Sequence, residues 1–403
     1  MNLFSVSAKK HLKYFCETIS ERHLGSHGNK QATNYFKNVL QQYGWETEES
    51  LLEVMDWKTE GAILQCGKQF FEVFSSPYSL GCNIEGKLIA VDNISKLHDA
   101  DLKDKIVLLH GDIATEQIMP KNFVFYNPEH HQKLIQLLER SGVKAIISAT
   151  GKNPSLAGGM YPFPMFEDGD FDIPSVFMKD TEGEKLLTCV GRKFKLESRA
   201  TRIPENAFNV IGRKPGHGKQ RIVITAHIDA KQGTPGALDN ATGVTVLLLL
   251  SEMLKDSYLK HPIELVAFNG EDYYAASGQM KYIEQQANHF DDILLNINID
   301  GVGYKEGASS FSAFDLPETI QDAFQTIIKK NTNIIEGPPW YQGDHSIFLQ
   351  HGRPAIAVTS EWIINNMETQ DITHTERDNL SVLNHKKVVE STIGIHELLL
   401  HCF

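Results

Sequence analysis

The residues in this chain best suited to chemistry lie on either side of a glycine- and proline-rich turn. His227 and Asp229 follow the apolar, β-branched segment 221–226, which is typical of a buried strand. Asp239 and Asn240 come directly before a long apolar segment that predicts a helix. In open parallel α/β sheets, ligands bind at the carboxyl ends of the strands. The pattern therefore indicates a metal site. Taken one at a time, the same residues have simpler explanations: Asp239 or Asn240 could be a helix N-cap, and His227 a hydrogen-bonded histidine at a strand end.

Further carboxylates and a second histidine occupy similar positions later in the chain. Glu271 and Asp272 follow one apolar segment, Asp300 ends the next, and His374 lies in a polar loop near the carboxyl end. Burying adjacent acids without counter-charges is costly. Two cations held by shared carboxylates would remove that cost.

A site for two metal ions requires two histidines, a bridging carboxylate, a terminal carboxylate for each ion and a free carboxylate as base. The chain supplies this set without remainder: His227, Asp239, Glu271, Asp272, Asp300 and His374. Asp229 has the right chemistry to accept a hydrogen bond from the far ring nitrogen of His227. We therefore predict a two-metal site in which one of these acids serves as the base and Asp229 supports catalysis from beside His227.

The elements that must position these residues alternate along the second half of the chain. From residue 209 onward, short apolar strands are followed by helices, including 316–331 and the closing helix 385–401. Strand–helix alternation of this kind predicts an α/β fold in which a mostly parallel central sheet carries helices on both faces.

Residues 57–200 have a different sequence pattern, which predicts short strands and one or two helices and contains no cluster of catalytic residue types. We predict a discontinuous catalytic domain, 1–56 plus 201–403, interrupted by a β-rich insert at 57–200. The insert should have its own core and contribute no metal ligand. Within it, His130 and His131 are interpreted as a solvated pair, because adjacent residues face different ways on a helix.

The composition narrows the class of protein. A chain of 403 residues suggests two or three domains, and a net charge of −12 argues against binding nucleic acid or anionic lipid. Five scattered cysteines without C-x-x-C spacing argue against a disulfide framework or a thiolate zinc site. No signal peptide is visible, and no apolar window reaches the ~20 residues that cross a bilayer. We expect a cytoplasmic protein without a membrane partner, or a secreted one if a leader has been removed.

Several blocks of the sequence resemble the signature motifs of the co-catalytic zinc aminopeptidases of family M28. The blocks are HIDA (227–230), GALDNATGV (236–244), FNGED (268–272), NINIDGVG (296–303), GDHSIFLQHGRPAIA (343–357) and ITHTERDN (372–379). The resemblance covers 206–403 well and ERHLGSHGN (21–29) more loosely. The insert is similar to a protease-associated domain, an accessory domain in this family.

The resemblance implies a zinc exopeptidase fold and two zinc ions. His227 and Asp300 would hold one ion, and Asp239 would bridge the pair. In relatives the bridging aspartate typically precedes a cis peptide bond, which here would be Asp239–Asn240.

Asp272 and His374 would hold the other ion, and Glu271 would be the general base. Many relatives have glutamate where this chain has Asp272. Because aspartate is shorter by one methylene, we expect the second ion to bind more weakly.

Residues that contact substrate are less clearly marked. The family's oxyanion-stabilising tyrosine has no clear match, and Tyr341 and its neighbour Trp340 are the candidates. Asp344, His345 and Ser346 follow closely and are expected to line the pocket, although loop capping would explain them equally well.

The expected function is that of a metal-dependent aminopeptidase acting on peptides. A single-zinc, glutaminyl-cyclase-like acyl transferase and a non-catalytic binding relative remain alternatives, although the complete ligand set favours two ions and hydrolysis. A glutamate-type carboxypeptidase would need arginines placed for the substrate carboxylates. Arg353 and Arg377 are available, but the sequence does not fix their positions.

Overall fold

A computed structural model describes residues 3–19, 21–123, 127–152 and 159–402. Its α-helices are α1 (Leu3–Lys13), α2 (His27–Gln42), α3 (Ile94–Asp99), α4 (Glu129–Ser141), α5 (Asp180–Leu187), α6 (Thr242–Leu254), α7 (Ser277–Gln286), α8 (Glu318–Lys330), α9 (His345–Gln350), α10 (Glu361–Asn366) and α11 (His385–Cys402). Its strands are β1 (Glu46–Cys66), β2 (Gln69–Phe71), β3 (Phe74–Ser75), β4 (Cys82–Val91), β5 (Ile106–Leu109), β6 (Ala145–Thr150), β7 (Ser175–Lys179), β8 (Lys193–Lys214), β9 (Arg221–His227), β10 (Ile263–Phe268), β11 (Ile293–Ile299), β12 (Ser309–Phe314), β13 (Ile334–Glu336) and β14 (Ala355–Ser360).

The centre of the molecule is a mostly parallel sheet. Strand β9 pairs in parallel with β10 and β11, and β11 pairs in parallel with β14. Antiparallel strands flank this centre, with β12 beside β14 and β8 beside β10. The carboxyl ends of the parallel strands therefore meet at one edge of the sheet, where the predicted metal ligands lie. The predicted fold class is confirmed.

Helices cover both faces of this sheet, which explains why its inner strands are apolar along their whole length. Every residue of β10 and β14 is buried. On one face, α1, α2, α6, α8 and α11 share a single hydrophobic core with the strands. On the other face, side chains of α7 and α9 pack into a second core.

Helix α6 is the most apolar helix of the central domain. Together with the turn before it, the segment Ala237–Leu254 is long and apolar enough to cross a membrane by composition alone. In the fold, 83% of this segment is buried. Burial of this kind is expected for a core helix packed on a sheet. The segment is therefore not evidence for a membrane-spanning helix.

Two long strands, β1 and β8, connect the central domain to the insert. They pair antiparallel from Glu46 opposite Arg213 to Gln65 opposite Lys195, with one irregularity between Thr59 and Ala62. The boundaries predicted at 56/57 and 200/201 fall inside these two strands. The two parts of the chain therefore share a continuous ladder of hydrogen bonds, and the exact domain limits stay a prediction.

The insert has hydrophobic cores of its own. Strands β4, β5, β6 and β7 are parallel neighbours and β3 pairs antiparallel with β7. One core lies between these strands and α5, and the other between the strands and α3 and α4. The described part of the insert thus contains three α-helices, where the sequence predicted one or two helices.

Candidate metal centre and active site

Asp239 lies between the two histidines that the sequence pattern singled out. It lies in the turn Ala237–Ala241, where Asp239 and Asn240 have non-helical backbone angles, and the predicted cis peptide bond joins these two residues. Its Oδ1 atom is 3.0 Å from Nε2 of His227, and its Oδ2 atom is 3.2 Å from Nε2 of His374. One carboxylate therefore faces both imidazoles, which is the arrangement a bridging ligand needs.

Each histidine also faces a second carboxylate. Nε2 of His227 is 3.5 Å from Oδ1 of Asp300, at the end of β11. Nε2 of His374 is 3.1 Å from Oδ1 of Asp272, in the loop after β10. Two atoms that each lie about 2.0–2.1 Å from a tetrahedral zinc ion are about 3.3 Å apart. The nitrogen–oxygen distances therefore fit two sets of zinc ligands that share Asp239.

The hydrogen bonding and charge of the cluster also fit cations. Neither ring nitrogen of His227 has a hydrogen-bond partner, and nor does Oδ2 of Asp272, although all three atoms are buried. Leaving buried polar atoms unpaired costs free energy. Burial lowers the pKa of both histidines, but the surrounding carboxylates outweigh it and raise the pKa of His227 well above its ordinary value and that of His374 to about 10. The site therefore carries an excess of negative charge that a dication would neutralise.

Glu271 lies beside this cluster and lines an open cavity of about 200 Å³ together with Asp272 and His374. Burial raises the pKa of the Glu271 carboxyl well above its ordinary value, against the opposing effect of His227, and the neighbouring Asp272 adds to the rise. A carboxylate whose pKa is raised is better suited to accept and return a proton.

Asp229 has a different set of partners from the one the sequence predicted. Its Oδ1 atom is 3.8 Å from Nδ1 of His227, too far for a hydrogen bond. Its carboxylate instead accepts the backbone N–H groups of Gly270, Glu271 and Asp272, at 2.8, 3.2 and 3.1 Å. Asp229 therefore holds the loop that carries the predicted base and one predicted ligand, and it acts on the site through that loop.

Sequence reasoning did not assign a role to Arg22, in the segment before α2. Its buried guanidinium donates hydrogen bonds to the carbonyl oxygens of Phe15, Ile228, Pro235 and Gly236. The last three acceptors belong to the segment that joins β9 to Asp239. The only sequence signal for this contact was the loose resemblance of residues 21–29 to the family motif.

Asp378 holds the same segment from its other end. Its carboxylate accepts the backbone N–H groups of Leu238 and Asp239, at 2.6 and 3.0 Å. Burial raises the pKa of Asp378 to about 7. Arg22 thus binds carbonyl groups that precede Asp239, while Asp378 binds the N–H groups of Leu238 and Asp239, and together they position the predicted bridging ligand.

We expect Asp378→Ala to destabilise the protein and weaken its hold on metal. The substitution leaves two buried N–H groups without an acceptor, at about 1–3 kcal/mol each. Thermal unfolding and zinc titration of the same samples measure both effects. Asp371→Ala is the matched control, because Asp371 lies in the same loop but is exposed and pairs with Arg377. Equal stability and zinc affinity in the two variants would contradict the positioning role.

The structure separates three of the five residues predicted to contact substrate. Tyr341 is 66% exposed and packs edge-on against Phe314. His345 is fully buried, its Nε2 lies 2.8 Å from the carbonyl oxygen of Trp340, and burial lowers its pKa to about 4. Asp344 is buried close to the carboxylate cluster and accepts a hydrogen bond from Gln279. None of the three is among the described residues that line the cavity, and a contact with substrate stays a prediction for each.

A second cluster of metal-binding residue types lies in the insert. Nε2 of His130 and Nε2 of His131 are 2.9 and 3.2 Å from Oε1 of Glu116. The interpretation of a solvated pair is confirmed for His130, which is exposed, and wrong for His131, which is fully buried. Nδ1 of His131 accepts the backbone N–H of Met119. A metal-bound histidine instead donates a proton from its second nitrogen, so this cluster is a hydrogen-bonded support for the loop at Met119.

Comparisons with known proteins agree with this fold. Residues 209–399, which contain the six predicted ligand and base residues, match the model of peptidase family M28. Aminopeptidase YwaD of Bacillus subtilis is 26% identical over 208 residues, which span 51% of this chain and 41% of that protein. The match thus spans less than half the length of this curated relative.

Two solved structures share the fold over nearly the whole chain. An aminopeptidase from Aneurinibacillus sp. strain AM-1 superposes with a TM-score of 0.77 at 17% identity, covering 99% of this chain and 93% of that one. BSAP, a zinc aminopeptidase from Bacillus subtilis, has a TM-score of 0.76 at 20% identity, covering 98% and 93%. Residues 209–399 thus match peptidase family M28, and the whole chain shares the fold of these two aminopeptidase structures.

Proposed function

We propose that this protein is a metal-dependent exopeptidase that removes amino-terminal residues from peptides. The observation that carries the proposal is the position of Asp239, whose two oxygens lie 3.0 and 3.2 Å from the two histidines. His227 and Asp300 would hold one zinc ion, His374 and Asp272 the other, and Asp239 would be shared. When bound, the ions would supply an acidified water and a polarised scissile carbonyl.

Glu271 provides the proton transfer in this proposal. Its carboxylate lines the cavity next to two proposed ligands and is not needed to complete either ligand set. It would accept a proton from the attacking water and return it to the departing amine, which is general acid–base catalysis by one group. Asp229 fixes the backbone of Glu271 and so orients this base.

The positions of two arginines favour an aminopeptidase over a glutamate-type carboxypeptidase. Arg353 pairs with Asp291, and Arg377 pairs with the exposed Asp371. Neither is among the described residues that line the cavity. The cation that does line it, Lys231, is already paired with Glu167 at 2.8 Å. A free substrate carboxylate therefore has no unpaired cation among these residues to bind.

The proposal is tested by metal content together with activity. We expect the purified protein to bind two zinc ions per chain, to hydrolyse aminoacyl-p-nitroanilides, and to lose this activity on removal of metal by a chelator. Because Asp272 is shorter than glutamate, we expect one of the two ions to leave first during dialysis. Elemental analysis and initial rates on the same samples measure these quantities. A single retained ion with acyl-transfer activity would favour the cyclase-like alternative.

A further inference from the structure

The insert contacts the two loops that carry Asp272 and His374, the ligands proposed for the second zinc ion. The ligands proposed for the first ion are placed by the central sheet instead. His227 ends β9, which lies between β10 and β11, and Asp300 donates its backbone N–H to the carbonyl oxygen of Val358 in β14 at 2.9 Å. The two halves of the metal centre therefore have different supports.

The loop of His374 is joined to the insert through its backbone. The N–H of Gly159 donates to the carbonyl oxygen of Thr373 at 3.1 Å, directly before His374. A Cβ atom on Gly159 would lie 2.5 Å from the backbone carbonyl carbon of Asp371, so the two segments are in close contact. His374 itself has a φ of 63°. A residue with a Cβ keeps such a backbone only where surrounding contacts impose it, and Gly159 supplies one of these contacts.

The loop of Asp272 continues into two tyrosines that pack on the insert. The ring of Tyr78, in the insert, packs against those of Tyr273 and Tyr274, with centroids 5.9 and 4.7 Å apart. Tyr78 and Tyr273 are both buried. Gly169 of the insert lies against Tyr274 so closely that an added Cβ atom would be 2.6 Å from the ring carbon Cζ. The insert thus forms the packing surface behind Asp272.

An ion pair joins the same two surfaces. Lys231 of the catalytic domain binds Oε1 of Glu167 in the insert at 2.8 Å, and its Nζ atom lies 5.3 Å from the ring centroid of Tyr273. Gln117 donates to the other oxygen of Glu167 at 2.7 Å. The side chains of Lys231 and Glu167 are only 16% and 7% exposed, and a partly buried pair is screened less by salt than a surface pair. This pair holds the insert against the Asp272 loop.

We propose that the insert controls the affinity of the second metal site, because it holds the loops of Asp272 and His374 in the geometry that zinc requires. The inference rests on the proposed two-ion site and adds a linkage between one half of that site and the insert. Gly159, Glu167 and Tyr274 are positioning residues in this scheme. The first ion, whose own ligands are placed by the sheet, would bind without this help.

Gly159→Ala tests the contact with the His374 loop. The added methyl group displaces the backbone at Asp371. We expect the dissociation constant of the second zinc ion to rise about tenfold or more, the usual effect of disturbing groups that orient a ligand, and that of the first ion to change less than about twofold. Competition with a chromophoric chelator, without substrate, measures both constants. Gly151→Ala is the matched control, since its methyl group would lie 3.6 Å from the nearest atom, Oδ2 of Asp180.

Tyr274→Leu tests the other loop independently. Leucine removes the ring that packs against Tyr78, and we again expect a loss of about tenfold in affinity for the second ion alone. Tyr258→Leu is the control, because Tyr258 is 96% exposed. Asp272→Asn, which lacks a proposed ligand of the second ion, shows which constant belongs to that ion. Circular dichroism establishes that each variant is folded.

The reciprocal effect provides a second measurement on the wild-type protein. Because linkage acts in both directions, filling the second site should hold the insert more firmly against the His374 loop. Hydrogen exchange at the backbone N–H of Gly159 should therefore slow when the second equivalent of zinc binds and not when the first one does. Gly159→Ala and Tyr274→Leu variants that bind both ions as tightly as the wild-type protein, or that weaken both ions equally, would overturn the inference.

These measurements distinguish failure of the inference from failure of the proposed function. A wild-type protein that binds two ions but hydrolyses no aminoacyl-p-nitroanilide would refute the aminopeptidase function, and the zinc titrations would still test the role of the insert. An active two-ion protein whose second ion is insensitive to both variants would refute the inference alone. A wild-type protein that binds a single ion would refute the inference together with the two-ion site.

Discussion

Replacing Glu271 with glutamine should abolish most of the catalytic rate while both metal ions stay bound. The amide is nearly the same size as the carboxylate, but it cannot accept the proton of the attacking water. We expect kcat to fall by about 10²–10⁴-fold, the usual effect of removing a general base, with little change in KM. Initial rates and elemental analysis of the same preparation measure the two quantities.

Two comparisons make this result specific to Glu271. Glu284→Gln is the matched control, because Glu284 is exposed on α7 and pairs with Lys281. Asp272→Asn, at the adjacent position, should instead lose one ion and spare the other. If Glu271→Gln strips metal while Asp272→Asn retains two ions, the roles of base and ligand are reversed.

Asp239→Asn should weaken the binding of both ions at once. The carboxylate faces both histidines, and an amide offers one oxygen and a donor N–H₂ in its place. Each zinc would then lose a charged ligand, and zinc binding depends on deprotonated ligands. We expect both ions to be removed by dialysis against a weak chelator under conditions in which the wild-type protein keeps two, and activity to fall with them.

The variant must be shown to fold for this result to count. Asp239→Asn retains the backbone N–H that binds Asp378, and far-ultraviolet circular dichroism should match that of the wild-type protein. Asp371→Asn, in the loop that carries His374, serves as the control for adding an amide near the site. Loss of only one ion in Asp239→Asn would show that Asp239 is a terminal ligand and would falsify the shared-ligand assignment.

The neighbours of Asp239 show why its effect should be large. Three side chains fix the backbone around Asp239: those of Arg22, Asp378 and Asn240. The Asn240 side chain donates a hydrogen bond to the carbonyl oxygen of Ile299 and accepts one from the backbone N–H of Gly243. A ligand held this firmly presents both oxygens without reorganisation when metal binds. Preorganised ligands of this kind lose less entropy on binding metal.

Much of the candidate site was predictable from local sequence rules. Strands β9, β10 and β11 are short apolar segments, and the residues that follow such strands in a parallel sheet meet at one edge. His227, Glu271, Asp272 and Asp300 could therefore be grouped from residue type and strand order. The cis peptide bond at Asp239 was predicted only through the resemblance to the family, because no local pattern marks it.

The long strands were predicted less well. Extended pairing of β1 with β8 runs through both predicted domain boundaries, which had been drawn where the composition changes. Composition reports which residues a segment uses, whereas strand length depends on the partner strand and on the sheets packed beside it. The continuous pairing of β1 with β8 could therefore be found only in the tertiary structure.

By itself, the sequence determined the fold class, the family motifs and the set of candidate metal ligands, because each follows from residue type, spacing or strand order. Only the tertiary structure decided how these residues are supported. Arg22 reaches Pro235 across 213 positions of the chain, and Lys231 reaches Glu167 across 64. Side-chain contacts between such distant segments leave no periodic pattern, since they depend on where the packed sheets bring each loop.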